Sequence, residues 1–267
     1  LGSRGLGDVY KRQVHPSESV KGEIEFDHVS FAYPEAGENV LTDISFKAKK
    51  GQTIAVIGST GSGKSTLINL IPRYYDVTKG SVKVDGVDVR DMTQKELRDK
   101  LGYVPQKGVL FSGTIDSNIR YGKPEITDAQ VKEAAEVAQA TEFIDTKPEK
   151  YESPVSQGGT NVSGGQKQRL SIARAIAKDP EIFIFDDSFS ALDFKTDSQL
   201  RKALKEYTKD ATTVIVAQRI STILGADQII VLDDGHMAGI GTHKELMANC
   251  EVYQQIARSQ LSEEELA

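Results

Sequence analysis

The chain has 267 residues, of which 38% are hydrophobic and 27% charged, a composition typical of a globular protein with one large α/β domain or two small lobes. Its net charge of −6 argues against a nucleic-acid partner, because nucleic-acid-binding proteins usually present a basic face. A single cysteine excludes an internal disulfide, and no apolar run approaches the ~18 to 20 residues that cross a bilayer.

The start of the chain lacks the patterns of a folded element. Residues 1–13 show no periodicity and are predicted to be an assembly scar foreign to the native protein. Residues 14–22 are predicted to be a polar linker from whatever precedes the domain.

The first part of the domain is predicted to be rich in strands. Residues 23–31 and 44–48 alternate apolar and polar side chains, which indicates antiparallel strands, the first of them exposed. A short apolar run at 52–57, several glycines and a helical pattern at 64–70 together predict a strand, a tight loop and a helix. Asp85-Gly86 is the turn signal of a hairpin over 81–89.

The second part alternates helices with strands. The predicted elements are a helix over 128–140 with Thr127 and Gln130 as its capping box, a loop over 149–161, a helix over 163–178, a strand over 182–185, a helix over 196–207, and strands over 212–217 and 228–232. Such alternation implies a mainly parallel sheet covered on both faces. The helical stretch at about 108–178 is predicted to be an inserted second lobe.

A phosphate-binding pattern lies between the predicted strand and helix. It is G-x-x-x-x-G-K-[ST], read here as Gly58, Ser59, Thr60, Gly61, Ser62, Gly63, Lys64 and Ser65, with Thr66 following. Glycines let the backbone N–H groups converge on phosphate oxygens, and the helix start favours the same anions. Lys64 is expected to neutralise the β- and γ-phosphates of a nucleotide, and the Ser65 hydroxyl to bind Mg²⁺. The alternative, a simple Gly/Ser-rich turn, is disfavoured by the flanking strand and helix.

Two acidic residues follow the buried strand. The run Ile182–Phe185 leads into Asp186 and Asp187, which places carboxylates at the edge where open α/β sheets bind ligands. Asp186 is expected to hold Mg²⁺ through its water shell, and Asp187 to orient the attacking water as a general base. A surface acidic turn is the alternative.

A third motif identifies a family. Ser163, Gly164, Gly165 and Gln166, followed by Lys-Gln-Arg-Leu, resemble the signature of ATP-binding cassette (ABC) proteins. Other matches are Tyr33, similar to the aromatic that stacks on adenine, Gln106, which looks like the catalytic and Mg²⁺-contacting Q-loop glutamine, and Ser190-Ala191-Leu192-Asp193, which looks like the D-loop. The resemblance implies a nucleotide-binding domain over 23–260. It would have a RecA-like P-loop NTPase core with a mainly parallel sheet, an antiparallel β subdomain and an α-helical signature lobe.

The resemblance also implies partners. In the family, the signature cradle closes on the γ-phosphate held by a second nucleotide-binding domain, so that a head-to-tail dimer buries two ATP molecules. Exporters are favoured over importers by Phe111-Ser112-Gly113-Thr114-Ile115, Arg73-Tyr74-Tyr75-Asp76 and Gly241-Thr242-His243. The linker would then come from a transmembrane domain, whose coupling helices dock near Gln106 and the helical lobe at the cytoplasmic face of the cell membrane.

Two catalytic positions depart from the exporter pattern. Asp187 stands where exporters have Glu, and Gln218 stands where they have the switch histidine. A shorter carboxylate lies about 1 to 1.5 Å further back, and glutamine cannot carry a positive charge. These changes predict a slow, degenerate site in a heterodimer whose partner has both Glu and His. The alternatives are a homodimer that tolerates both changes and a regulatory subunit without productive hydrolysis. A soluble cassette acting on ribosomes or DNA would need two cassettes or a long coiled coil.

Overall fold

The structure, a computed structural model, describes residues 20–266. The predicted assembly scar, residues 1–13, and residues 14–19 of the predicted linker lie outside the described residues. The described chain forms two compact units. The first unit contains the residues up to Leu101 together with those from Ala211 onward, and the second unit contains Gly102–Asp210.

Strands and helices are numbered here in chain order. The strands are β1 Ile24–Phe31, β2 Leu41–Ala48, β3 Thr53–Gly58, β4 Lys79–Val84, β5 Val87–Asp88, β6 Leu101–Val104, β7 Gly113–Thr114, β8 Pro154–Val155, β9 Ile182–Asp186, β10 Thr212–Val216, β11 Gln228–Asp233 and β12 His236–Gly241. The helices are α1 Lys64–Asn69, α2 Gln94–Asp99, α3 Ile115–Ile119, α4 Asp128–Val137, α5 Thr141–Asp145, α6 Gly164–Ala177, α7 Phe194–Tyr207, α8 Ile220–Ile223, α9 His243–Asn249, α10 Glu251–Gln260 and α11 Glu263–Leu266.

The first unit contains an antiparallel sheet in the order β2-β1-β4-β5. Strand β1 is antiparallel to both neighbours, with Phe26 opposite Phe46 of β2 on one side and Val82 of β4 on the other. Its apolar residues are buried, so the predicted exposure of this strand is wrong, because neighbouring strands occupy both edges and the apolar face joins the core. The predicted hairpin is confirmed, with Asp85 (φ 55°) and Gly86 (φ 76°) forming its two-residue turn.

The first unit also contains the strand order β12-β11-β3-β10. Strand β3 is parallel to both β10 and β11, and β12 is antiparallel to β11. The four residues Ile54–Ile57 are completely buried. One face of these strands packs with α8 and α10 in a cluster that includes Ala217, Ile220 and Tyr253.

In the second unit, β6 and β9 are neighbours, and the helices are α3 to α7. Helix α6 packs with α3 and α4. The predicted loop over 149–161 is partly wrong, because strand β8 lies within it and pairs with β7. The predicted helix over 196–207 begins two residues earlier, since the Asp193 side chain caps it by accepting from Thr196 N.

Candidate functional site

The predicted phosphate loop connects β3 to α1 in the first unit. The Lys64 ammonium turns back over this loop and donates to the carbonyl oxygens of Gly58 (2.7 Å) and Ser59 (2.9 Å). Thr60 and Gly61 are exposed. The loop is therefore wound around a cation and open to solvent along its outer part.

Two glycines are required where the loop begins and ends. A Cβ on Gly58 would lie 2.4 Å from the Leu232 carbonyl oxygen, so the backbone there is closer to β11 than any side chain allows. Gly63 has φ 104°, and a Cβ on it would meet Leu41 Cδ2 at 2.8 Å. The sharp turn into α1 thus depends on residues without side chains.

The start of α1 has the donor chemistry of an anion site. No side chain in the described part of the chain caps this helix, and its first turn carries no acidic residue. Within the described chain, the buried Ser62 hydroxyl makes no hydrogen bond. A loop of backbone donors with one ammonium and no carboxylate fits a polyphosphate.

Tyr33 lies beside this loop. Its hydroxyl is 2.8 Å from the Thr66 hydroxyl of α1. Its ring packs edge-on against Phe31 (4.9 Å between centroids) and Tyr75 (5.2 Å). The structure therefore brings the predicted adenine platform and the phosphate loop together.

Gln218 follows the carboxyl end of β10, at the same edge of the sheet as the phosphate loop. The parallel strands β3 and β10 pair Val56 with Val216. The segments that follow the two strands therefore both begin at the carboxyl ends of the strands, where open α/β sheets bind ligands. The Gln218 side chain is exposed. The backbone carbonyl oxygen of Gln218 accepts a hydrogen bond from Gln260 Nε2 at 2.7 Å.

The predicted acidic site lies at the end of β9 in the second unit. Asp186 is the last residue of that strand, and Asp187 has φ 50°, the left-handed region. Gln106 Nε2 donates to Asp187 Oδ2 at 3.2 Å. The fully buried Ser188 hydroxyl donates to the Val104 carbonyl oxygen at 2.8 Å, which ties this turn to β6. Gln106 and Asp187 are thus brought together.

The signature residues form the start of α6. Ser163 Oγ accepts from Gln166 N (3.1 Å), and Gln166 Oε1 accepts from Ser163 N (3.3 Å), which is a complete capping box. A Cβ on Gly164 would meet no atom within 4 Å, and one on Gly165 would lie 3.8 Å from the Ala191 carbonyl oxygen. Packing within residues 20–266 therefore does not require glycine at position 164.

Some features of the site carry no sequence signal. The left-handed backbone of Asp187 and its contact with Gln106, which is 81 positions away, depend on strand pairing. The contact of Gln260 with Gln218 spans 42 positions. A glutamine in a polar helix end does not indicate a long-range partner.

These parts define the class of protein. Two features are characteristic of a P-loop nucleotide-binding domain. One is a glycine loop around a lysine at the end of a parallel strand, and the other is a pair of acidic residues at the end of a second buried strand. A family model described as ABC transporter matches residues 41–190, and the chain belongs to that family. The resemblance drawn from the signature motif and the α/β fold class are both confirmed.

Individual relatives agree with this assignment. An "Uncharacterized ABC transporter ATP-binding protein" of Mycobacterium bovis is 48% identical over 248 residues, which are 92% of this chain and 42% of that protein. A "Putative multidrug export ATP-binding/permease protein" of Staphylococcus aureus is 46% identical over 241 residues, which are 90% and 42% of the two chains. The solved structure of a bacterial Atm1-family ABC exporter with ATP bound matches with a TM-score of 0.88 at 37% identity, over 93% of this chain and 44% of that one.

The chain therefore spans about two fifths of the length of the curated relatives that it matches. Across residues 20–266, no helix has the length and hydrophobicity to cross a membrane.

Proposed function

We propose that this chain is the ATP-binding and ATP-hydrolysing motor domain of an ABC exporter, and that it pairs head-to-tail with a second nucleotide-binding domain around two ATP molecules. The observation that carries the proposal is the presence in one chain of two different helix starts whose geometry suits an anion. One is the phosphate loop wound around Lys64, and the other is the exposed Ser163-Gly164 helix start. The domain is proposed to span 23–260.

ATP and Mg²⁺ fit the donor groups present. Among the described residues, no group of three or more His, Cys, Asp or Glu side chains could hold a metal ion. Mg²⁺ bound with ATP needs no such cage, because phosphate oxygens and water fill most of its coordination positions. The hard oxygen donors of Ser65, Asp186 and Gln106 suit it, and its chemical contribution is to neutralise phosphate charge.

The protein side chains divide the catalytic work. Lys64 neutralises the β- and γ-phosphates, and the Tyr33 ring stacks on the adenine. Asp187 accepts a proton from the attacking water, with Gln106 orienting its carboxylate through the bond described above. Gln218 donates a hydrogen bond to the γ-phosphate but supplies no positive charge.

The signature is proposed to act on the ATP of the other domain. Gly164 is exposed, and among the described residues a Cβ on it would meet nothing within 4 Å, which leaves room there for a phosphate group. The capping box holds Ser163 and the first amide groups of α6 in place. Hydrolysis removes the shared γ-phosphate contacts and weakens the dimer, which converts chemistry into motion.

This chain's own site is proposed to be slow. The Asp187 carboxylate is one methylene shorter than glutamate, and misplacement of this order costs up to ~10²-fold in rate. A heterodimer with a partner carrying Glu and His explains both departures and the intact signature. A regulatory role without productive hydrolysis, which the same two residues favour, and a homodimer are the alternatives.

The transmembrane partner is proposed to dock on the second unit. Val109, Phe111 and Tyr121 are exposed there, and the rings of Phe111 and Tyr121 stack with centroids 4.3 Å apart. The Arg174 guanidinium lies 5.3 and 5.5 Å from these rings. An exposed aromatic pair stiffened by a cation suits a helical segment of a membrane domain at the cytoplasmic face.

Rate measurements on the purified chain test the proposal. We expect the chain to bind ATP and hydrolyse it slowly, and Asp187→Glu combined with Gln218→His to raise kcat by about tenfold or more. Lys64→Ala is the control that should remove both binding and turnover. Tight ATP binding with no gain in the double variant would contradict the degenerate site, and absent ATP binding would contradict the motor function itself.

A further inference from the structure

The side chain of Gln260, the last residue of α10, closes a ring of hydrogen bonds with the loop that carries Gln218. Its Nε2 donates to the Gln218 carbonyl oxygen at 2.7 Å. Its Oε1 accepts from Ile220 N at 2.7 Å. One amide group thus uses both a donor and its acceptor on two backbone groups that are two residues apart.

These two hydrogen bonds, called the Gln260 brace below, supply a helix cap that the loop around Gln218 lacks locally. Helix α8 begins at Ile220, and the side chain of its N-cap residue, Arg219, makes no capping hydrogen bond. The orphan N–H groups of a helix start need an acceptor. Gln260 provides it from 40 positions away.

The brace stands on a rigid base. Tyr253 and Ala257 of α10 are fully buried in the same cluster as Ala217 and Ile220, which flank the braced loop. Gln260 itself is exposed, so its position is not explained by hydrophobic burial. The buried part of α10 fixes where the amide sits, and the amide fixes the loop.

We propose that Gln260 is a positioning residue for hydrolysis, which holds the backbone around Gln218 so that this side chain faces the γ-phosphate. The inference rests on the proposed function. It makes helix α10 part of the machinery that orients the switch position, because Gln260 acts through the backbone of the Gln218 loop and not through contact with nucleotide. Loss of the brace leaves ATP binding intact and lowers the rate of the chemical step.

A double-mutant cycle tests this role, using Gln260→Ala, Gln218→Ala and their combination. We expect Gln260→Ala to lower kcat for ATP about threefold to tenfold, the effect of losing an orienting hydrogen bond, with KM unchanged. In the Gln218→Ala background the same change should have no further effect, because the residues act through one another. Gln260→Glu, which keeps the acceptor for Ile220 N and loses the donor, should fall between.

Gln254→Ala is the matched control. Gln254 lies on the same helix, and its amide also donates to a backbone carbonyl, that of Met247, at 2.8 Å. Its loss should leave kcat within about twofold of wild type. Hydrogen exchange of the Ile220 amide gives a readout independent of turnover, and it should accelerate in Gln260→Ala but not in Gln254→Ala.

The outcomes separate the two proposals. Equal loss of kcat in both backgrounds, or unchanged exchange at Ile220, overturns the positioning role while ATP binding still supports the motor function. Failure of the wild-type chain to bind ATP overturns the proposed function, and the role of Gln260 with it.

Discussion

Gly164 allows the stability of the fold and the proposed dimerisation to be tested separately. Gly164 is the first residue of α6, and a Cβ there would meet no atom of the described residues within 4 Å. Alanine has a higher helix propensity than glycine. We therefore expect Gly164→Ala to leave the free energy of unfolding unchanged or raise it by up to ~1 kcal/mol. The same variant should lose dimerisation with its partner domain in the presence of a non-hydrolysable ATP analogue, as measured by sedimentation velocity.

Ser163→Ala, at the neighbouring position, should lower stability where Gly164→Ala does not. Removing the hydroxyl removes the cap of α6, which costs ~1 kcal/mol of stability in urea unfolding. Normal dimerisation by Gly164→Ala would contradict a role for this helix start in the interface, since the substitution adds only a methyl group to the exposed cradle.

At the scale of elements, the β4–β5 hairpin is tied to the entry of the chain by a buried carboxylate. The Asp85 side chain is 0% exposed, and its Oδ2 lies 3.0 Å from Lys100 Nζ. Its Oδ1 accepts from Gly22 N at 2.6 Å, and the carbonyl oxygen of Gly22 accepts from the Thr212 hydroxyl at 2.6 Å. Four separate parts of the first unit, namely the hairpin, the chain entry, the end of α2 and the start of β10, therefore meet around Asp85 and Gly22.

We expect Asp85→Asn to lower the free energy of unfolding by ~2 to 4 kcal/mol, because it removes the charge of a buried carboxylate that lies 3.0 Å from the Lys100 ammonium, whose side chain is 16% exposed. Asp88→Asn on the same hairpin is the control. Its partner Arg90 is 40% exposed, so this change should cost only ~0 to 1 kcal/mol. Urea unfolding measures both, and equal losses would show that burial of the pair does not matter.

The elements that local sequence predicts well are those whose signals are local. The Thr127–Gln130 capping box and the Asp85-Gly86 turn are both present as predicted, because each depends on residues within one turn of chain. The burial of strand β1 cannot be predicted from local sequence, since it depends on pairing with β4, which lies some fifty residues further along the chain. The pairing of β8 with β7 likewise has no local pattern, because each strand contributes only two residues.

The site follows the same division. The phosphate loop and the signature are contiguous motifs and could be located from the sequence. The contact between Gln106 and Asp187 and the brace from Gln260 join residues 81 and 42 positions apart. Only the packing of neighbouring elements determines which polar side chains face one another across such separations.

At the scale of the whole molecule, the chain is one part of a longer architecture in its relatives, and its surface should carry a membrane-domain contact. Tyr121, 56% exposed and 5.5 Å from the Arg174 guanidinium, is the proposed centre of that contact. We expect Tyr121→Ser to weaken binding of the chain to the proposed transmembrane partner, held in lipid nanodiscs, by about thirtyfold, the usual effect of removing an aromatic anchor worth ~2 kcal/mol. ATP affinity should not change.

Tyr74→Ser is a closely matched control for that experiment, because Tyr74 is 47% exposed and lies 5.5 Å from the Arg98 guanidinium in the first unit. It offers the same side chain, a similar exposure and the same kind of cation contact on a different unit. We expect it to bind the transmembrane half as the wild type does. Equal weakening by both variants would indicate a general effect of losing a surface aromatic, whereas weakening by Tyr74→Ser alone would move the docking surface to the first unit.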